Sequence, residues 1–317
     1  MNTMRNPLRV AAIGELLWDL LPEGPQLGGA PANFAAILAQ MFACGENTPA
    51  GEVFLVSSVG DDPLGQQAQE QLLARRVRPD FVAIDPDLAT GTVEVRLDPK
   101  LGPLYRIHKP VAWDAVRETP KLAALASMLD AVCFGTLAQR SPITRATLRA
   151  VVSATRADCL RVFDVNLRAP DWTAEAIFWG CERATIFKMN AEEVEHIANA
   201  VGAEIRDTPL QVAYRLLDQF PIQLVSITRG SRGSLLVSRD AVNDHPGIPT
   251  RVVDSIGAGD CFTAALTYFS LHHCPLRILA EAANRWGAWA TSQRGGMPLL
   301  DASSCSDLRA AAEPSEI

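Results

Sequence analysis

The chain has no surplus of positive charge. Its 317 residues hold 29 Lys and Arg against 36 Asp and Glu, a formal net charge of −7. Nucleic-acid binders present a basic face, so that class is set aside, while a locally positive seat for an anion is still allowed. There is no Cys-x-x-Cys pair. Seven cysteines, an odd number, are scattered at 44, 133, 159, 181, 261, 274 and 305. That argues against a zinc site or a disulfide framework and for a reducing cytoplasm. No run approaches the roughly 20 apolar residues that cross a bilayer, so no membrane partner is expected. The segment Val10 to Leu21 follows Arg5 and Arg9 as a secretion signal would, but Glu15 and Asp19 interrupt it and no small-residue cleavage site closes it. There is no Gly-x-x-x-x-Gly-Lys-Ser/Thr, which excludes a P-loop. No repeat and no low-complexity linker divides the chain. What is present is 48% hydrophobic and 21% charged, long enough for one large domain or two ordinary ones with a well-buried core.

The rest is organised around Arg251 to Ala265, Arg-Val-Val-Asp-Ser-Ile-Gly-Ala-Gly-Asp-Cys-Phe-Thr-Ala-Ala. An apolar lead-in, Val252 and Val253, meets a glycine turn. Phe262, Ala265, Leu266 and Phe269 then have the spacing of one apolar helix face. Gly257 and Gly259 let the backbone turn sharply and approach a ligand. Unpartnered amides and the positive end of the dipole make such a helix start a seat for phosphate. Asp260 stands inside it. A carboxylate there is either a helix cap or a base: an anion seat beside an acid is what phosphoryl transfer to a hydroxyl requires.

Short apolar runs recur along the chain: Val10–Gly14, Val53–Gly60, Ala131–Gly135, Leu160–Asp164, Ala184–Asn190, Leu224–Thr228 and Ser234–Ser238. Helical patterns separate most of them. This spacing predicts an α/β fold with a largely parallel sheet covered on both faces. Thr92–Leu97 and Tyr105–His108 instead alternate strictly, with turn residues Asp98-Pro-Lys and Gly102-Pro between, which predicts a β-hairpin in a small separate sheet. Pro22, Gly24, Pro25, Gly28 and Gly29 are expected to break regular structure, with a helix following Asn33 and Asn33 either capping it or reading a hydroxyl. The tail after Leu308 is expected to fray. Ligands of open α/β sheets bind beyond the carboxyl ends of the strands, where Asp19, Asp164, Asn166, Arg168, Asn190, Glu193, Thr228 and Asp260 all fall.

Asp254-Ser-Ile-Gly-Ala-Gly-Asp260 resembles the C-terminal signature of the ribokinase-like (PfkB) carbohydrate kinases. Ser255 stands where the family usually has Thr, and keeps the hydroxyl. Gly28-Gly-Ala-Pro-Ala-Asn33 resembles the family's N-terminal signature, and the hairpin and three intermediate motifs lie between in the right order. The resemblance covers nearly the whole chain. It implies a single ribokinase-like domain over residues 1–317, a three-layer sandwich with a small β-sheet lid from segments around 15–30 and 90–110. It implies a sugar and ATP as small-molecule partners, Mg²⁺ as cofactor, K⁺ as a further ion, and a homodimer through the lid.

Carried over residue by residue, Asp260 is the base, and Gly257, Ala258 and Gly259 form the anion hole. Asp19, Gly29, Asn33, Arg168 and Asp260 meet the sugar or the transferred phosphate. Asn190, Thr228, Gly230, Gly233, Gly257, Gly259 and Asn284 meet ATP. Glu193 supports hydrated Mg²⁺, and Asp254 and Ser255 hold the monovalent cation. Arg168 could instead pair with Asp171 on the surface. Cys261 is read as a packing residue. Gly14-Glu-Leu-Leu-Trp-Asp-Leu-Leu-Pro, Thr90-Gly-Thr-Val and Val111-Ala-Trp-Asp114 look most like bacterial fructokinases, so the expected acceptor is the primary hydroxyl of D-fructose. Ribokinase, 2-keto-3-deoxygluconate kinase and nucleoside kinase share the scaffold. A sugar- and nucleotide-binding protein without turnover is the alternative of another class. A dinucleotide oxidoreductase fails because Phe262 replaces the third glycine of Gly-x-Gly-x-x-Gly.

Overall fold

The structure, a computed structural model, describes residues 7–44, 50–98, 102–202, 207–301 and 303–306. The tail after Leu308 and the tip of the hairpin at 99–101 lie outside the described residues. In chain order the strands are β1 (Leu8–Ile13), β2 (Leu17–Leu21), β3 (Gly24–Gly28), β4 (Gly51–Gly60), β5 (Val82–Asp85), β6 (Gly91–Asp98), β7 (Gly102–Ile107), β8 (Ala131–Phe134), β9 (Leu160–Asp164), β10 (Ile186–Asn190), β11 (Leu224–Thr228), β12 (Ser234–Val237) and β13 (Val242–His245). The helices are α1 (Ala30–Ala43), α2 (Pro63–Ala74), α3 (Pro120–Ala126), α4 (Pro142–Ser153), α5 (Ala174–Arg183), α6 (Val194–Ala200), α7 (Pro209–Gln219), α8 (Ala258–Leu271) and α9 (Leu276–Thr291).

The main sheet runs β13-β12-β11-β10-β9-β8-β1-β4-β5. It is parallel from β11 to β5, and β12 and β13 fold back antiparallel. Successive side chains of a strand face opposite ways, so one apolar run feeds two cores. Val10 and Ala12 join the layer under α1, α2, α8 and α9, while Ala11 and Ile13 join the layer under α3 to α7. A strand sandwiched like this must be apolar throughout, which is why these strands read as unbroken hydrophobic runs. All the parallel strands end at one edge, and β1, β9, β10 and β11 deliver Ile13, Asp164, Asn190 and Thr228 there.

The second sheet is small, in the order β3-β2-β6-β7. The hairpin of β6 and β7 pairs Val93 with Ile107 and Asp98 with Gly102. Trp18 on β2 fastens this sheet to the body, its Nε1 donating to Leu64 O at 3.0 Å. Among the described residues no helix is long and apolar enough to cross a membrane.

Five expectations are corrected. Asp19 lies on strand β2 of the small sheet, not at a strand end of the main sheet, and residues 24–28 form β3 despite Pro25, which a strand at the sheet edge tolerates. Asn33 is neither cap nor pre-helical: α1 starts at Ala30 with Gly29 as its cap, so Asn33 lies in the first turn. The apolar lead-in is outside the core, with Val252 and Val253 at 63% and 52% exposure. Cys44, which ends α1, is joined to Cys305 by a disulfide with a Cα–Cα distance of 5.9 Å across 261 residues of sequence. The scattered cysteines argue against a disulfide framework, and this one bridge is not expected from them, because sequence spacing does not measure distance in a fold that returns its C-terminal segment to α1. β5 and β13 were not anticipated either; three of the four residues Val-Asn-Asp-His of β13 are polar because it is the exposed edge of the sheet.

Candidate active site

The floor of the site is the turn at Gly257. Its φ is +75°, and a Cβ there would come within 2.6 Å of Gly296 Cα, so the position has room for glycine alone. A Cβ on Gly296 would in turn lie 2.6 Å from the Asn33 amide. The α8 helix begins at the next residue. Cys261 N closes on Gly257 O at 2.8 Å, and Ala258 N makes only a long 3.4 Å contact with Ser255 O. The amides of Ala258, Gly259 and Asp260 thus stand at the helix start with the dipole's positive end, a seat built for an anion.

Asp260 projects from that first turn. Its Oδ2 accepts from Asn33 Nδ2 at 2.7 Å. Desolvation raises its carboxyl to about 6 and the charge of Asp164 adds to the rise, while the Asn33 hydrogen bond, Lys188 and Arg168 oppose it. Such a group is mostly ionised at neutral pH yet holds a proton well enough to act as a general base. Desolvation also lifts Asp19 to about 6, with Arg168 lowering and Asp254 raising it. Glu15 directly follows β1 and Gly14, is 5% exposed, and accepts from Ala30 N at 3.3 Å. Burial pushes it up to about 7.

A cavity of about 870 Å³ gathers Asp19, Gly29, Asn33, Arg168, Asn190, Thr228, Gly230, Ser255, Gly257, Gly259 and Asp260. It opens into a second of about 870 Å³, largely apolar, that holds Gly233, Ala258 and Asn284 between Phe262, Ala288 and the segment Pro246–Thr250. Thr228, Gly230, Ser255 and Gly259 line both, so the two form one cleft along the strand ends. Arg168 does not pair with Asp171, whose carboxylate meets Lys109 at 2.6 Å and Arg140 at 3.3 Å; its guanidinium lines the cleft, with Nη1 donating to Leu167 O at 3.1 Å.

Two site residues read from the sequence hold backbone instead of lining the cleft. Glu193 is buried, and its two oxygens accept from Leu167 N at 2.7 Å and Asn190 N at 2.8 Å, tying the ends of β9 and β10 together. Asp254 accepts from Ile256 N and Gly295 N, both at 3.0 Å, and so joins the anion turn to the Gly295–Gly296 segment. Asn284 is buried and donates to Ser234 Oγ at 2.7 Å. Cys261 is the packing residue expected: its Sγ lies 3.2 Å from Trp286 O, and burial drives its thiol far above the ordinary range.

The sequence reading missed Lys188, Glu15 and the wall at Pro246–Thr250. Lys188 lines the cleft and its Nζ donates to Asp164 Oδ1 at 2.9 Å. The signal was a lysine inside Ile-Phe-Lys-Met-Asn, a strand otherwise apolar, and an acid immediately after another apolar strand. The wall had only its Pro-Gly-Ile-Pro run.

An anion seat with its own carboxylate, at the edge of a parallel sheet and beneath a small second sheet, fits phosphoryl transfer to a bound hydroxyl compound. The profile of the pfkB family carbohydrate kinases matches residues 25–302. The chain belongs to that family. It is 27% identical to a fructokinase of Escherichia coli over 308 residues, covering 92% of this chain and 96% of the relative. It is also 27% identical to the aminoimidazole riboside kinase of Salmonella typhimurium over 310 residues, covering 92% of each. A sugar kinase of Pyrococcus horikoshii, solved in complex with ATP, superposes with a TM-score of 0.74 at 29% identity, covering 91% of this chain and 94% of that one. The ribokinase-like fold is thereby established, and the chain is a carbohydrate kinase.

Proposed function

We propose that this kinase transfers the γ-phosphate of ATP to a primary hydroxyl of D-fructose, as one catalytic domain with the small sheet as its lid. The observation that carries the reading is the Asn33–Asp260 hydrogen bond at 2.7 Å inside the cleft. It puts the residue assigned to read the sugar in contact with the residue assigned to take its proton.

In this mechanism Asp19, Gly29 and Asn33 hold the sugar under the lid, which excludes water from the reacting hydroxyl. Asp260 accepts the hydroxyl proton. The amides of Gly257, Ala258, Gly259 and Asp260, with Arg168, stabilise negative charge at the moving phosphoryl group. Asn190, Thr228, Gly230 and Gly233 line the nucleotide phosphates, and the apolar slot beside Asn284 takes the adenine. Mg²⁺, when bound with the nucleotide, would supply neutralisation of phosphate charge. Glu193 would support such an ion indirectly, by fixing the Leu167 and Asn190 amides at the ends of β9 and β10 from behind the cleft. Ser255, which lines the cleft, would meet K⁺, with Asp254 supporting the turn behind it. We assign the exposed face of the lid, where Leu20 is 38% exposed, to a homodimer contact that sedimentation would test.

Two features favour fructose, the motifs around Glu15 to Asn33 and the fructokinase relative. The equal identity to an aminoimidazole riboside kinase keeps a nucleoside-like acceptor as the second reading. Ribose and 2-keto-3-deoxygluconate belong to the same comparison. The test is ADP release from Mg·ATP against fructose, ribose, adenosine, aminoimidazole riboside, 2-keto-3-deoxygluconate, glucose and mannose. Fructose as the acceptor with highest kcat/KM supports the reading. Faster turnover of another acceptor replaces fructose and keeps the mechanism. Nucleotide binding with no sugar-dependent ADP release would make the chain a binding protein.

A further inference from the structure

Lys188 sits in β10 between Phe187 and Met189, both 0% exposed, and is itself only 5% exposed. An ammonium in such a place costs several kcal/mol of lost hydration, and an apolar residue would pack there without that cost. Its partners show what it serves. Nζ donates to Asp164 Oδ1 at 2.9 Å. The other oxygen of Asp164 accepts from Thr263 Oγ1 at 2.8 Å, and the same hydroxyl lies 2.9 Å from Gly259 O, so its one proton is shared between Asp164 and the first turn of α8. On its other side Nζ faces the anion turn, 3.2 Å from where a Cβ on Gly259 would stand.

Asp260 is surrounded by charge from every element packed on it. Asp164 comes from β9, Glu15 from the end of β1, Arg168 from the segment after β9, and Lys188 from β10; Asn33 of α1 is its hydrogen-bond donor. Glu193, at the start of α6, acts on Lys188 from beyond. Arg168 is exposed, so Lys188 is the enclosed cation among these groups. Without it Asp164 and Asp260 would meet as like charges in a poorly solvated pocket, where both cannot stay ionised.

We propose that Lys188 is a positioning residue: its buried ammonium keeps Asp260 in the charged, proton-accepting form and ties β9 to the helix that carries it. This rests on Asp260 as the base, but its test does not need turnover.

The experiment is a carbon NMR titration of the whole chain with labelled aspartate, the Asp260 signal being assigned by its loss in Asp260→Asn. The wild-type midpoint is expected at about 6. Lys188→Met should raise it by about one unit or more, a tenfold shift towards the protonated form. Asp164→Asn should lower it, and adding Lys188→Met to Asp164→Asn should raise it again by a similar step. The second comparison avoids an unpaired Asp164 carboxylate: in Asp164→Asn the Lys188 ammonium still faces the charge of Asp260, and the double variant is neutral at both positions, so it stays readable if the single lysine variant fails to fold. A midpoint that does not move when Lys188 is removed, in either background, overturns the proposal. Failure of the wild type to release ADP with any sugar would overturn the kinase reading alone, because the titration is read without substrate.

Discussion

Asn33 Nδ2 donates to Asp260 Oδ2 at 2.7 Å across 227 residues of sequence. The first turn of α1 therefore orients the carboxylate on the first turn of α8. Asn33→Ala should remove that orientation along with a sugar contact, lowering kcat/KM by about 10- to 1000-fold. Combined with Asp260→Asn, the loss should be much smaller than the product of the two single losses, since residues acting as a unit are non-additive. A fully multiplicative double variant in steady-state assays would show that the two act separately.

Asp260→Asn keeps the shape and removes the base. Turnover should fall by about 10²- to 10⁴-fold, with nucleotide binding by calorimetry little changed. Retained kcat would send the role of base to another carboxylate in the cleft.

Activity should rise with pH through the region near 6, where Asp260 and Asp19 both titrate, since the base must lose its proton to act. With two carboxyls titrating together, the acid limb of log kcat/KM should fall with a slope nearer two than one. A limb centred near the ordinary carboxylate range, at about 4, would contradict the desolvation of the site.

Glu15 makes a stability prediction whose sign follows from burial. Its carboxyl titrates at about 7 in the folded chain against 4.5 for the ordinary group. Below the ordinary value both states are protonated and nothing is lost; as pH rises through the window the unfolded chain sheds its proton first, so the native state becomes relatively weaker. Glu15→Gln mimics the protonated acid. It should raise Tm at pH 8 and leave it unchanged at pH 4, in melts at matched ionic strength. Equal shifts at both pH values would mean the effect is packing and not charge.

Gly257→Ala should cost both stability and nucleotide affinity. The left-handed backbone alone costs about 1–2 kcal/mol, and the new Cβ would stand 2.6 Å from Gly296 Cα. A lower Tm together with a higher KM for ATP is the expected pair. An unchanged KM would separate the turn from the nucleotide.

What could be read from the sequence was local. Val53–Gly60 and Leu224–Thr228 are strands because buried parallel strands must be apolar on both sides, and Thr92–Leu97 alternates because a sheet with one wet face must. Gly-Ala-Gly-Asp260 marks a helix start by its own chemistry. The rest depends on distance in space. Nothing near Cys44 announces Cys305, and nothing near Asn33 announces Asp260. Lys188 was not singled out because its partner Asp164 belongs to another strand, and β13 was hidden by its polar exposed edge. Asp19 was expected at a strand end of the main sheet and instead reaches the cleft from the small sheet, since β2 turns away from β1 after Glu15.

Gly296 touches both halves of the site, the turn at Gly257 on one side and the Asn33 amide on the other. Both catalytic helices precede it in the chain. During synthesis on the ribosome, α1 and α8 will have emerged while the segment that seats their active ends against each other is still inside the exit tunnel. The site is therefore closed by a wedge made after both helices, and a chain released before Gly296 would carry Asp260 and Asn33 without the segment that seats them.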